Sequence, residues 1–191
     1  MGLFLATLIS ELFTTRLYRL FAWYAINSLM LGLIAIYNGN KIDDSAMIIA
    51  GILTLIFKFI IIPYILKYFV GHFGINRKVT PSVPIHYAII LVPLMLVFTF
   101  YLITPIIKNF TFTSNYVAIA ISALFLSLVM IIEHKDMLSK IIGFLSIENS
   151  LFLLGITATN GMPMLVELGI FFDLMMFIVV INLLFKYQGE Q

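Results

Sequence analysis

A chain of 191 residues that is 62% hydrophobic and only 10% charged, with a mean hydropathy of +1.12, is not an ordinary soluble domain, where about a quarter of residues carry charge. Its net charge of +2 comes from basic residues scattered through short connectors, so no nucleic-acid footprint is present. The absence of cysteine excludes thiolate-held iron–sulfur clusters, disulfides and thiol chemistry within the chain.

In chain order, the apolar runs predict an all-α integral membrane protein. About seven transmembrane helices are expected, at 1–15, 19–38, 45–67, 85–107, 115–132, 138–160 and 163–186, forming one transmembrane domain. The first run, about 15 residues, covers only ~22 Å. Glu11, Arg16 and Arg19 crowd its end, and Glu11 is expected to snorkel to the nearby surface. The run lacks a basic leader and a small-residue cleavage site, and reads as a retained span. Asn27 and Ser28 in the second run, and Ser122 and Ser127 in the fifth, are expected to bond or pack helix against helix.

The longest connector, Gly71 to Pro84, carries Gly71, Gly74, Pro81 and Pro84 and is the one candidate for surface structure beyond a turn. Glu133, His134, Lys135 and Asp136 read as a solvated turn. His72, His86 and His134 have neither metal-ligand spacing nor an axial-ligand position, so no metal or cofactor is expected. If the first connector is cytoplasmic, that side holds Arg16, Arg19, Lys67, Arg77, Lys78, Lys135, Lys140 and Lys186, against Lys41 and Lys108 opposite. The bias predicts an outside N-terminus and a cytoplasmic C-terminus.

Four ionisable residues lie inside the runs: Lys58, Glu148, Glu167 and Asp173. Each costs at least ~2.5 to 3.5 kcal/mol at bilayer depth. Counted from the turn at Gly161, Glu148 lies ~20 Å deep and Asp173 ~18 Å deep, and Lys58, counted from Ser45, also lies ~20 Å deep. Glu167 sits ~9 Å deep and ~120° around its helix from Asp173. Lys58, Glu148 and Asp173 are therefore expected to share one layer. They form either part of a proton or ion path or a static pair of Lys58 with one acid that holds helices in register. Pro63 cannot donate to the carbonyl of Phe59, which leaves an acceptor beside the Lys58 ammonium.

The run Ile142-Gly143-Phe144 with Glu148-Asn149-Ser150, then Glu167-Leu168-Gly169-Ile170 and Asp173, resembles component E of hydrogenase-4 and related formate hydrogenlyase-type complexes. The likeness extends upstream to Tyr24-Ala25, Ser28-Leu29, and Lys58 with Pro63, and so covers most of the chain. That family is similar over its last three helices to the K-type subunit of respiratory complex I and to the C-type subunit of multisubunit cation/proton antiporters. In those relatives one intramembrane glutamate on each of two consecutive helices belongs to the proton path, and Glu148 and Glu167 are the matching positions. With the Ile-Gly pairs aligned, Glu148 falls three residues later than its complex I counterpart.

The resemblance implies a non-catalytic membrane subunit of a group 4 energy-converting nickel–iron hydrogenase in a prokaryotic plasma membrane. It would bind no cofactor itself. Its partners would be antiporter-like and complex I-like membrane subunits, lipids and, indirectly, a peripheral nickel–iron hydrogenase arm. A non-conducting scaffold of the same complex, and an antiporter subunit without any hydrogenase, are the alternatives.

Overall fold

The computed structural model describes residues 1–72, 78–80, 85–107 and 114–159, together with Met175, Ile178, Val179 and Asn182. Six helices organise them: α1 (Gly2–Leu12), α2 (Leu17–Lys41), α3 (Ser45–His72), α4 (Ile85–Ile107), α5 (Ser114–Glu133) and α6 (Met137–Thr159). Four stretches are long and apolar enough to cross a membrane, namely Leu17–Lys41, Ser45–His72, Tyr116–Glu133 and Met137–Ala158, with shorter apolar helices at Gly2–Leu12 and Tyr87–Ile103. The protein is thus a helical membrane bundle. Of the expected span at 163–186, only Met175, Ile178, Val179 and Asn182 are among the described residues, each of them helical.

The bundle is built inside out relative to a soluble domain. Leu33, Ile60, Ile90, Leu94, Val97 and Ile132 are exposed, as suits side chains facing lipid, whereas Asn27, Ser28, Lys58, Ser146, Asn149 and Ser150 are buried. Tyrosines mark two levels on this surface. Tyr64, Tyr68 and Tyr87 lie toward one end, and Tyr37, Tyr101 and Tyr116 toward the other. Along α2, Tyr18 and Tyr37 are ~28 Å apart, close to the ~30 Å hydrocarbon thickness between aromatic belts.

Small residues bring α2 and α3 together. A Cβ on Gly51 would stand 3.0 Å from the Gly32 carbonyl oxygen and 2.8 Å from Ile36 Cγ1, and one on Gly32 would meet Leu55 Cδ2 at 2.7 Å. The Asp44 carboxylate starts α3 by accepting from the N–H groups of Ala46 and Met47 at 3.0 and 3.4 Å. The close pairs otherwise are α1 with α2 and α5, α2 with α6, α5 with α6, and α4 with α5. Chain neighbours pack on one another except for α3 and α4, which are separated by the longest connector and are not among the closely packed pairs.

Three connectors meet at one end, called here the basic end. Val79 N–H donates to the Thr15 carbonyl at 2.9 Å, Arg16 pairs with Lys78 in an isolated antiparallel bridge, and Lys135 N–H donates to the Thr80 carbonyl at 3.2 Å. The Asp136 carboxylate accepts from Thr80 N–H and Oγ at 2.6 and 3.0 Å. Residues 78–80 therefore lace the α1–α2 corner to the α5–α6 turn. That turn is not the solvated one expected: Glu133 and His134 are buried beneath the lace, and Asp136 is engaged in it.

Burial lowers the pKa of His134 below its ordinary 6.5, opposed by a hydrogen bond to the Met130 carbonyl and by the Asp136 charge. The unfolded state then binds the extra proton, so the stabilisation is present above pH 6.5 and is lost as pH falls through the folded-state value. Protection from hydrogen exchange at Val79 and Lys135, measured against the intrinsic rate at each pH, should fall on acidification through that window, and less so in His134→Gln.

Gly51→Leu should destabilise the bundle by about 1 to 3 kcal/mol through overpacking. Gly2→Leu, with nothing within 4 Å of its Cβ position, should be neutral. Thermal unfolding in detergent compares the two.

Candidate functional site: a polar layer around helix α6

The centre of the bundle is the run Ser146-Ile147-Glu148-Asn149-Ser150 on α6. Its four polar side chains are all buried. Each addresses a different helix. Ser146 Oγ donates to Glu11 Oε2 on α1 at 2.7 Å. Glu148 Oε1 lies 3.2 Å from Lys58 Nζ on α3. Asn149 Nδ2 donates to Asn27 Oδ1 and to Ser28 Oγ on α2, both at 3.0 Å. Ser150 Oγ and Ser127 Oγ on α5 are 3.2 Å apart.

Helical geometry explains this fan. At about 100° per residue, Ser150, Ser146, Asn149 and Glu148 point at roughly 40°, 0°, −60° and −160° around the axis. The helices met in that order are α5, α1, α2 and α3, which is the order in which they pack on one another. The layer continues outward from α6: Asn27 Nδ2 also donates to Thr7 Oγ at 2.9 Å and to the Phe4 carbonyl at 3.1 Å on α1.

Lys58 reaches the layer through a register change in α3. Residues Leu55–Ile61 form a π-helical turn between the α-helical stretches Ser45–Thr54 and Ile62–His72. Lys58 is its one buried residue, 2% exposed, while Ile56 and Ile60 face outward. Pro63, just beyond, lacks the N–H that would restore the ordinary ladder. The break anticipated at Phe59 is thus spread over a whole widened turn, a distortion that recurs at functional sites.

Of the four expected site residues, Lys58 and Glu148 are brought together as an ion pair, with exposures of 2% and 5%. Glu167 and Asp173 lie outside the described residues. Asn27, Ser28 and Ser127 bond across helices as expected, whereas Ser122 Oγ donates within its own helix to the Ala118 carbonyl at 2.8 Å. His72 is exposed, and among the described residues no group of three or more His, Asp or Glu could hold a metal.

Glu11 overturns the snorkelling expectation. It is 0% exposed, and its partner Ser146 lies ~14 Å along α6 from Met137. Helix α1 ends early, so the chain covers the remaining distance to the basic end in the non-helical stretch before Arg16. The proximity of Glu11 to Arg16 in sequence suggested a surface position. The better signal was the spacing of Phe4, Thr7, Leu8 and Glu11, which places the carboxyl on the buried face of α1.

No protein-family model matches the chain, and no solved structure matches it. An uncharacterized protein of Mycobacterium tuberculosis, Rv0085, is 28% identical over 169 residues, covering 87% of this chain and 75% of that relative. The similarity therefore runs through nearly all of the elements above.

Removing one member of a buried pair strands the other charge. Lys58→Met should cost about 3 to 5 kcal/mol, and the double variant Lys58→Met/Glu148→Leu should recover most of the loss. Unfolding of the two variants in lipid nanodiscs checks this.

Proposed function

We propose that this chain is an ion-translocating membrane subunit of an energy-converting hydrogenase complex of the hydrogenase-4 or formate hydrogenlyase type. The observation that carries the reading is the buried Lys58–Glu148 pair beside a hydrogen-bonded polar layer linking α1, α2, α5 and α6. A carboxylate and an amine held 3.2 Å apart away from water exchange their pairing whenever a proton arrives, and intramembrane ionisable groups characteristically mark such paths. The π-helical turn favours this role, since a widened turn lets Lys58 move relative to Glu148 without unwinding α3.

In this reading the basic end is cytoplasmic, and the chain has seven spans in a prokaryotic plasma membrane. Protons or sodium ions pass through Lys58 and Glu148 toward Asp173, with Glu167 on the outer side. The subunit catalyses no reaction and holds no cofactor. Redox chemistry belongs to a nickel–iron arm that drives the antiporter-like and complex I-like membrane subunits beside it. The resemblance at Ile142-Gly143-Phe144, Glu148-Asn149-Ser150 and Glu167-Leu168-Gly169-Ile170 supports the placement in this complex.

A scaffold without conduction is the second reading. It is favoured by the tight closure of Asn149 on Asn27 and Ser28, which fixes α6 to α2. Glu148→Gln separates the two in the intact complex purified from native membranes. Conduction predicts that hydrogen evolution from an artificial donor continues while ion pumping falls at least about tenfold, the size set by a 1.4 kcal/mol barrier change. Loss of assembly, or undiminished pumping, would favour the scaffold. Copurification without a nickel–iron protein would instead point to a cation/proton antiporter.

A further inference from the structure

We infer that Glu11 is a second proton-carrying carboxyl of the bundle, loaded from the basic end by way of Glu133, Ser139 and the cavity beneath the 78–80 lace. The inference rests on the translocation reading above and extends the path to a helix and a residue outside it.

Three observations place the group. First, Glu11 is fully buried, and while Oε2 accepts from Ser146, Oε1 has no hydrogen-bond partner among the described residues. A carboxyl held this way, with no cation paired to it among the described residues, is stable when it binds a proton or when water completes its shell. Second, Ser139 stands seven residues before Ser146, two turns nearer the basic end and only about 20° from it around α6. Its hydroxyl is buried, 0% exposed, and also lacks a partner among the described residues, as does Glu133 Oε2. Buried polar atoms left without a protein partner are the groups that buried water satisfies. Third, a cavity of about 20 Å³ adjoins the end of α1, lined by Leu12, Thr14, Thr15, Val79, Glu133 and His134, which is room for one water.

The proton enters at the cavity and passes along Ser139 to Glu11 Oε1, which goes from carboxylate to neutral acid. It leaves again toward Glu148 around α6, and Glu11 returns to the carboxylate that Ser146 holds at Oε2. Among the described residues, the elements packed around α1 offer few other titratable groups. Helix α2 carries the buried Tyr24, α5 ends in Glu133 with His134 following, and α6 presents only hydroxyls on this side because Glu148 turns to Lys58. Arg16 and Arg19 lie beyond α1 and are exposed.

The test is labelling with dicyclohexylcarbodiimide, which attacks protonated carboxyls in apolar surroundings, on the full-length protein in sealed native membrane vesicles. Modification of Glu11 is read by peptide mass spectrometry. Labelling should follow the pH on the basic-end side, falling roughly tenfold per pH unit above the pKa of the group, and should ignore the pH on the other side. Ser146→Ala, which removes the donor to the ionised form, should raise labelling at a given pH. Tyr24→Phe should leave the sidedness unchanged. A Glu11 that stays unlabelled at every pH, or that follows the opposite side, overturns the proposal. The readout is independent of pumping, so a failure of the Glu148 experiment and a failure here are distinguishable.

Discussion

A charge cannot stand alone in a low-dielectric interior, and the architecture of this bundle answers that constraint at Lys58. The ammonium is turned inward by a π-helical turn whose other side chains point to lipid or lie half-buried. It meets Glu148 on a helix far away in sequence, so three connectors' worth of topology serves one contact. The energetics are asymmetric: a closed pair of this kind contributes little net stability against an apolar replacement, yet opening it on one side is costly. Such a pair is better suited to fixing which helices meet, or to responding to an arriving ion, than to raising overall stability.

Helix α6 is the hub because a run of polar residues on a helix cannot face a single neighbour. Ser146, Glu148, Asn149 and Ser150 spread around the axis, and each finds a different partner helix. In water these groups would have no reason to choose particular partners. In the bundle every unmade hydrogen bond is penalised, so the angular order of the four side chains becomes the packing order of the helices. The bond from Asn149 to Asn27, extended through Thr7 to α1, ties in even the shortest helix.

What was legible in the sequence was set by period and depth. Apolar runs located α2, α3, α5 and α6 within a few residues, and counting 1.5 Å per residue put Lys58 and Glu148 at the same level, where the structure pairs them. Direction around the helix was less legible than depth. Glu11 read as a surface residue because its sequence neighbours Arg16 and Arg19 are exposed, but α1 stops short and the chain runs on to the basic end without helical rise. The turn from Glu133 to Asp136 read as solvated because four polar residues in a row usually are. Its burial depends on a contact with Thr80, 56 residues earlier, which no local pattern announces. The π-helical turn was foreshadowed only by Pro63, whose missing donor marks a fault in the ladder without saying how far it spreads.

The separation of Lys58 from its partner has a bearing on how the protein is made. Residues 58 and 148 are 90 positions apart, so at about 5 to 20 residues per second the ribosome takes roughly 5 to 20 s to supply the acid after the amine has emerged. Throughout that interval the nascent third helix carries an uncompensated ammonium into the translocation machinery. Its residence in lipid must be deferred, or sheltered by an insertase, until the sixth helix arrives. A chain cut short before Glu148 would expose that orphan to membrane quality control, so biogenesis itself inspects the completeness of the bundle.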